Sequence, residues 1–389
     1  MVPRTHTLHL AAPLLVLLLV TACCHAQSSS SWDDLLRQQC RGEASQCDVE
    51  VPEGVTVHLS EDAEAASVVV KGRLIWPSSH PVVLSAGFIA AERPSGYIEI
   101  GTAASPAPDG SGVYIRNNGR SHHALGKRSF GSYGAGSNFH VHGRKLSKTW
   151  MLLSRPANTN DRQLTLDDDA AAAGWRVGDR ICLAPTASYP RFGADSAANV
   201  FTLTGVSGNV VNLNEPVVQA RAGFPSKKVQ AEVINLSRSV TITGDDFDGQ
   251  RHGLHVVAHS GGEAQVQYAR IERGGQHGVA GKYPLHFHLA GSCPTCRFVG
   301  NAIENSAQRG IIIHGSHRTL TSENVIYDVK GSGIYVEDGN GGYQNEKFKA
   351  AREATPPARP WIPIPRNPST HPRAHAHSSD AFLLQRWKM

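Results

Sequence analysis

The chain has 389 residues, 40% of them hydrophobic and 18% charged, with 38 Gly and 22 Pro. That length supplies a core without metal or disulfide staples, and so many turn formers with so little charge exclude a coiled coil or helix bundle in favour of many short strands. The formal net charge is +5, but residues 346–389, with eight Lys/Arg against three Asp/Glu, carry the whole excess, so composition implies no nucleic-acid groove in the body.

Residues 1–26 read as a secretory signal peptide: Arg4 gives the basic start, residues 10–20 an apolar run too short to span a bilayer, and Ala22 and Ala26 the small residues before cleavage. An alternative takes Val20-Thr21-Ala22-Cys23 as a lipoprotein box that would lipidate Cys23. On the first reading the mature chain acts outside the cell, crosses no membrane, and keeps Cys40, Cys47, Cys182, Cys293 and Cys296. Oxidising surroundings make Cys40 with Cys47, and Cys293 with Cys296, disulfide candidates. Free thiols are the alternative for the tight Cys293-Pro294-Thr295-Cys296 pair, since zinc would need a second ligand pair beside it. Cys182 reads as a buried strand residue, and Asn235-Leu236-Ser237 is a glycosylation sequon.

Residues 27–50 are polar and read as a loose N-terminal arm. From Val51 to about Gly244, short apolar alternations such as Leu74-Ile75-Trp76, Tyr97-Ile98-Glu99-Ile100 and Val240-Thr241-Ile242 fall between turn signals, as strands of four to six residues do. From Gly300 the pattern becomes periodic. Asn301-Ala302-Ile303 recurs as Asn324-Val325-Ile326, and Gly310-Ile311-Ile312-Ile313-His314 as Gly333-Ile334-Tyr335-Val336-Glu337, each pair 23 residues apart. A period in the low twenties with β-branched residues and no helical half predicts the coils of a parallel β-helix. Leu285-His286-Phe287-His288 fits one coil earlier, at an offset of 26.

Register then places the chemistry. If Ile311 and Ile313 face inward, period two sends Ile312 and His314 outward. Stacked coils then build one outward ladder of His286, Ile312 and Tyr335 and another of His288, His314 and Glu337. Clustered imidazoles beside a carboxylate suit acid–base work near neutral pH, and His-x-His on a strand also presents two nitrogens to one metal. His140-Val141-His142 and, in the tail, His375-Ala376-His377 repeat the pattern without periodic support. No P-loop, HExxH, GxSxG or EF-hand spacing occurs in the sequence.

Several ordered motifs carry a family resemblance. They are Gly72-Arg73-Leu74-Ile75-Trp76, Tyr97-Ile98-Glu99-Ile100-Gly101, Trp175-Arg176-Val177-Gly178-Asp179-Arg180-Ile181, Tyr283-Pro284-Leu285-His286-Phe287-His288, and Glu337-Asp338-Gly339. Through them the chain, from about residue 50 to 340, resembles the proteins with an eight-glycine ("G-eight") domain followed by parallel β-helix repeats. That family includes the cell-migration-inducing and transmembrane hyaluronidases and fibrocystin-like proteins. The resemblance implies an all-β fold: an eight-glycine β domain at 50–155, then a right-handed parallel β-helix at 156–343. It also implies an extracellular acidic polysaccharide, hyaluronan or similar, as partner and substrate. His286, His288, His314 and Glu337 are then the expected catalytic residues, with His317, Asp328, Tyr335, Asp338 and Arg309 binding substrate or supporting them. The cofactor is left open, calcium being a candidate. A noncatalytic glycan-binding, adhesion or structural role is the alternative. The periodicity stops near Gln344, and the Pro-rich basic tail at 344–389 reads as disordered, as in a truncated family member.

Overall fold

Runs of four or five residues with alternating apolar and polar character cannot bury an apolar face alone, and here they do so by stacking. In the computed structural model, which describes residues 28–186, 199–224, 226 and 229–337, each coil lays one strand into each of three parallel sheets. Asp48–Val51, Val55–His58 and Ala63–Glu64 make one coil; Leu285–Ser292, Arg297–Val299 and Ala302–Ser306 make another. Among the described residues the sheets contain eight, eight and seven strands. The solenoid is a parallel β-helix. The expected signal peptide, Asp338 and the tail lie outside the described residues.

Inward side chains stack coil upon coil. Val49, Val68, Ile89 and Phe130 are register partners in turn, as are Phe287, Ile313 and Val336. One continuous apolar core results, running from Trp32 to Val329. Within it the Phe287 and Phe298 rings lie face to face at 3.7 Å. Each such fully buried side chain contributes on the order of 1.5–3 kcal/mol through removal from water.

Residues 27–50 are not a loose arm over their described part. Ser31 caps the helix Trp32–Gln39, accepting a hydrogen bond from the Asp34 amide at 3.1 Å, and Trp32 and Leu35 sit buried against the first coil. An open solenoid end exposes apolar core, and this short amphipathic helix covers it. Cys40 and Cys47 are disulfide-bonded just beyond the helix, and Cys293 and Cys296 likewise between two strands; Cys182 is free and buried.

Around the expected division at 155/156 the solenoid itself continues. The coils before residue 143 and those after 239 share all three sheets, so no break in the solenoid occurs there. What interrupts it is an antiparallel unit, from Trp150–Leu152 to Glu232–Asn235, inserted between two strands of a single coil and holding its own core around Leu166, Trp175, Ile181 and Val211. The Val200–Ser207 and Val210–Leu213 strands turn at Gly208-Asn209, a two-residue hairpin signal, with Gly208 at φ +56°. Arg180 of the insertion pairs at 2.8 Å with the buried Glu304 of a coil, which also holds Arg270.

This junction overturns the glycosylation reading. Asn235 is 0% exposed; its amide donates to Asp179 at 2.8 Å and its carbonyl accepts from the Ser237 amide at 2.9 Å. An acceptor amide must be free to react, and this one is packed and bonded. Expression in a glycosylating host is expected to give no mass shift at Asn235. Asn235→Ala is expected to cost about 1–3 kcal/mol, because it removes one of the two hydrogen bonds accepted by Asp179 Oδ2 and leaves the Ser237 amide without its acceptor; denaturant midpoints check this.

Candidate functional site

The sheet that starts at Asp48–Val51 carries, on its outer face, a column set by strand register alone. Glu92 pairs with Tyr133, Tyr133 with His259, His259 with His288, His288 with His314, and His314 with Glu337. The ladder expected from the sequence is therefore present and extends three coils further toward the N-terminus. Rings touch along it: Tyr133 and His259 at 5.7 Å, His259 and His288 at 4.5 Å, His288 and His314 at 4.9 Å between centroids. The parallel column, Val257, His286, Ile312 and Tyr335, runs beside it.

His286 faces outward as expected, yet it is only 1% exposed. The segment 274–284 folds over it: the Gly281 carbonyl, at φ +81°, accepts from His286 Nδ1 at 3.1 Å, and the Tyr283 ring stands edge-on at 5.0 Å. Lys282 fixes that segment by donating to the Leu125 carbonyl. The result is a cleft of about 480 Å³ whose lining joins the imidazoles of the sheet to Ala280, Gly281 and Lys282 of that segment, together with Tyr335 and Glu337. After His288 a bulge shifts the register, Leu289 takes φ +54°, and its side chain turns out to solvent.

Electrostatics in the cleft favour uncharged imidazole. Burial, together with neighbouring His259, His314 and Lys282, pushes His288 down to about 4. Burial lowers His255 and His286 well below the ordinary histidine range, and lowers His259 and Lys282 as well. Neutral rings offer lone pairs, and the Nδ1 atoms of His288 and His314 lie 3.0 Å apart, within hydrogen-bond distance. Among the described residues, two sets of three side chains bring metal-ligating atoms within 4.8 Å of one another: His286, His288 and His314, and Glu92, His122 and His123. Neither is an oxygen cage of the kind calcium takes.

Residues 251–350 match the CEMIP beta-helix family and residues 38–154 match the G8 domain. The chain thus carries a stretch that matches a G8 domain followed by one that matches the CEMIP beta-helix, and it is similar to G8-domain proteins and fibrocystin-L. A G8 domain-containing protein of Dictyostelium discoideum is 31% identical over 240 residues, 59% of this chain and 16% of that protein. Communication mutant protein F of the same organism is 29% identical over 201 residues, 51% of this chain and 17% of the relative. Fibrocystin-L of Mus musculus is 24% identical over 335 residues, 71% of this chain and 8% of the relative. The chain thus spans less than a fifth of the length of these relatives. Among solved structures, the tailspike gp61 of Pseudomonas phage phi297 aligns with 66% of this chain and 40% of its own at TM-score 0.22 and 13% identity.

Of the family-implied site residues, His286, His288, His314, Tyr335 and Glu337 meet at the cleft. Arg309 adjoins it, its guanidinium 4.4 Å from the Tyr335 ring centre. Asp328 does not: it lies on the Val325–Val329 strand, in a different sheet, with Lys330 at 3.3 Å. A coil turns corners between strands, so 23-residue spacing aligns equivalent positions of successive coils, whereas Asp328 and Glu337 sit on different sheets. His317 follows the bulge, opposite Ser292, away from the cleft lining. Asp338 is outside the described residues. Sequence reasoning missed His255, His259 and Lys282, which line the cleft, and Tyr133, which continues the column. His259 was findable as a His one coil before His288, but at an offset of 29 it falls outside the 23-residue register.

Proposed function

We propose that this chain acts outside the cell on an acidic polysaccharide of the hyaluronan type, holding it along the outer column and shortening it at the histidine cleft. The column carries this reading: Glu92, Tyr133, His259, His288, His314 and Glu337 advance one residue per coil, at about 4.8 Å each, a straight track of roughly 24 Å suited to an extended polymer. Ring faces pack against the apolar faces of sugars, and Lys282 and Arg309 beside the track offer positive charge to acidic groups. Neutral imidazole next to the Glu337 carboxylate gives a proton acceptor and a second group to move that proton. Two disulfides fit an oxidising compartment.

Incubation of the purified protein with size-defined hyaluronan, and with other acidic glycans as competitors, tests the proposal. Shortened chains are the expected result. Retention of full-length polymer without shortening supports the noncatalytic alternative, and neither retention nor shortening removes the glycan reading.

A further inference from the structure

We propose that His286, His288 and His314 form a three-histidine site for one divalent transition-metal ion of the zinc class, with the fourth coordination position open to the cleft. The inference goes beyond the glycan reading and does not rest on it. Three observations carry it. The ligating nitrogens of all three residues lie within 4.8 Å of one another. His288 and His314 approach Nδ1 to Nδ1 at 3.0 Å, and tetrahedral zinc with bonds of about 2.0–2.1 Å separates its nitrogens by roughly 3.3 Å, so small side-chain rotations close the set. The third observation is His286. It is 1% exposed, its Nδ1 is committed to the Gly281 carbonyl at 3.1 Å, and its Nε2 has no hydrogen-bond partner.

A buried imidazole with one nitrogen held by a backbone carbonyl and the other left bare, its ring 4.8 Å from that of His288, is the arrangement by which proteins fix the tautomer of a metal-binding histidine. Without an ion, a desolvated acceptor is left unpaired, which proteins seldom tolerate. The second cluster makes the contrast. His122 Nε2 donates to Glu92 at 2.8 Å, and its Nδ1 accepts from the Ala124 and Leu125 amides at 3.2 and 3.0 Å, so neither nitrogen is left for a cation. Three nitrogen donors select zinc, cobalt, nickel or copper over calcium or magnesium.

The test uses the full chain, stripped with EDTA and carrying His375→Ala and His377→Ala so that the tail pair adds no background. Zn²⁺ is titrated against a chromogenic chelator and Co²⁺ is followed by visible absorption. The expected result is one equivalent of tight binding with the d–d bands of four-coordinate cobalt, weakened about 100-fold or more by His286→Ala and by the half-exposed His314→Ala, but unchanged by His123→Ala. Circular dichroism confirms that each variant is folded. Absence of saturable binding overturns the proposal, as does an equivalent whose affinity ignores both His286→Ala and His314→Ala. Hyaluronan shortening by a chain that binds no metal sinks this inference alone, whereas stoichiometric metal binding without any glycan retention sinks only the glycan reading.

Discussion

His288→Ala is expected to slow glycan shortening by about two to four orders of magnitude, the range over which a positioned acid–base group contributes, while leaving the fold intact. His288 sits at the centre of the cluster, with ring centres of His259, His286 and His314 at 4.5, 4.8 and 4.9 Å, so its removal takes away the hydrogen-bond partner of His314 and the middle of the track together. Its side chain projects from the sheet rather than into the apolar core, whose neighbouring members are Phe287 and Ile313, so the cost in stability is small. Glu337→Gln keeps shape and removes the carboxylate, and a similar loss is expected. Asp328→Asn is the discriminating control. Motif order alone groups Asp328 with the histidines, but the structure places it on another sheet beside Lys330, and wild-type cutting is expected. Rates come from viscometry or size-exclusion profiles of the polymer, with unfolding midpoints alongside. Wild-type turnover in His288→Ala, or its loss in Asp328→Asn, removes the site assignment.

What could be read from residues, and what could not, follows from the geometry of a coil. His288, His314 and Glu337 were legible because successive coils differ by only a few residues and side chains alternate strictly, so matching the strings Leu285-His286-Phe287-His288 and Ile311-Ile312-Ile313-His314 fixes register without knowing the loops. Tyr133 was not, because the antiparallel unit inserted within its own coil separates it from its register partner His259 and destroys any sequence period. The burial of His286 was hidden for another reason: alternation tells which way a side chain points, not what later covers it, and here the cover is the 274–284 segment arriving through Gly281. Asn235 shows the same limit, since a sequon is local while the Asp179 that occupies its amide lies 56 residues away.

Acid is expected to destabilise the metal-free protein well before its carboxylates titrate. Seven histidines, 122, 140, 142, 255, 259, 286 and 288, have their ring protonation disfavoured in the folded state, with burial as the leading cause in each. The unfolded chain, in which they titrate near 6.5, therefore binds more protons. The sign follows: this stability is complete above about pH 6.5 and is lost as pH falls, the loss persisting until the folded groups themselves protonate, about 4 for His288. Glu232, raised by burial, works in the opposite direction, but it is one group against seven. His255 and His286 are almost wholly buried; each contributes about 1.4 kcal/mol per pH unit near pH 5, and with the half-buried rings discounted for solvent screening the slope is about 3–4 kcal/mol per pH unit. Between about pH 6.5 and 5 that slope removes roughly 5 kcal/mol, a third or more of a total stability on the order of 5–15 kcal/mol. Urea midpoints measured in EDTA at a series of pH values give the slope, and His286→Gln, which removes one such group, should flatten it by about one proton. A midpoint that stays level between about pH 7 and 5 would mean that these rings are solvated in the native protein and that the cleft is not closed by residues 274–284.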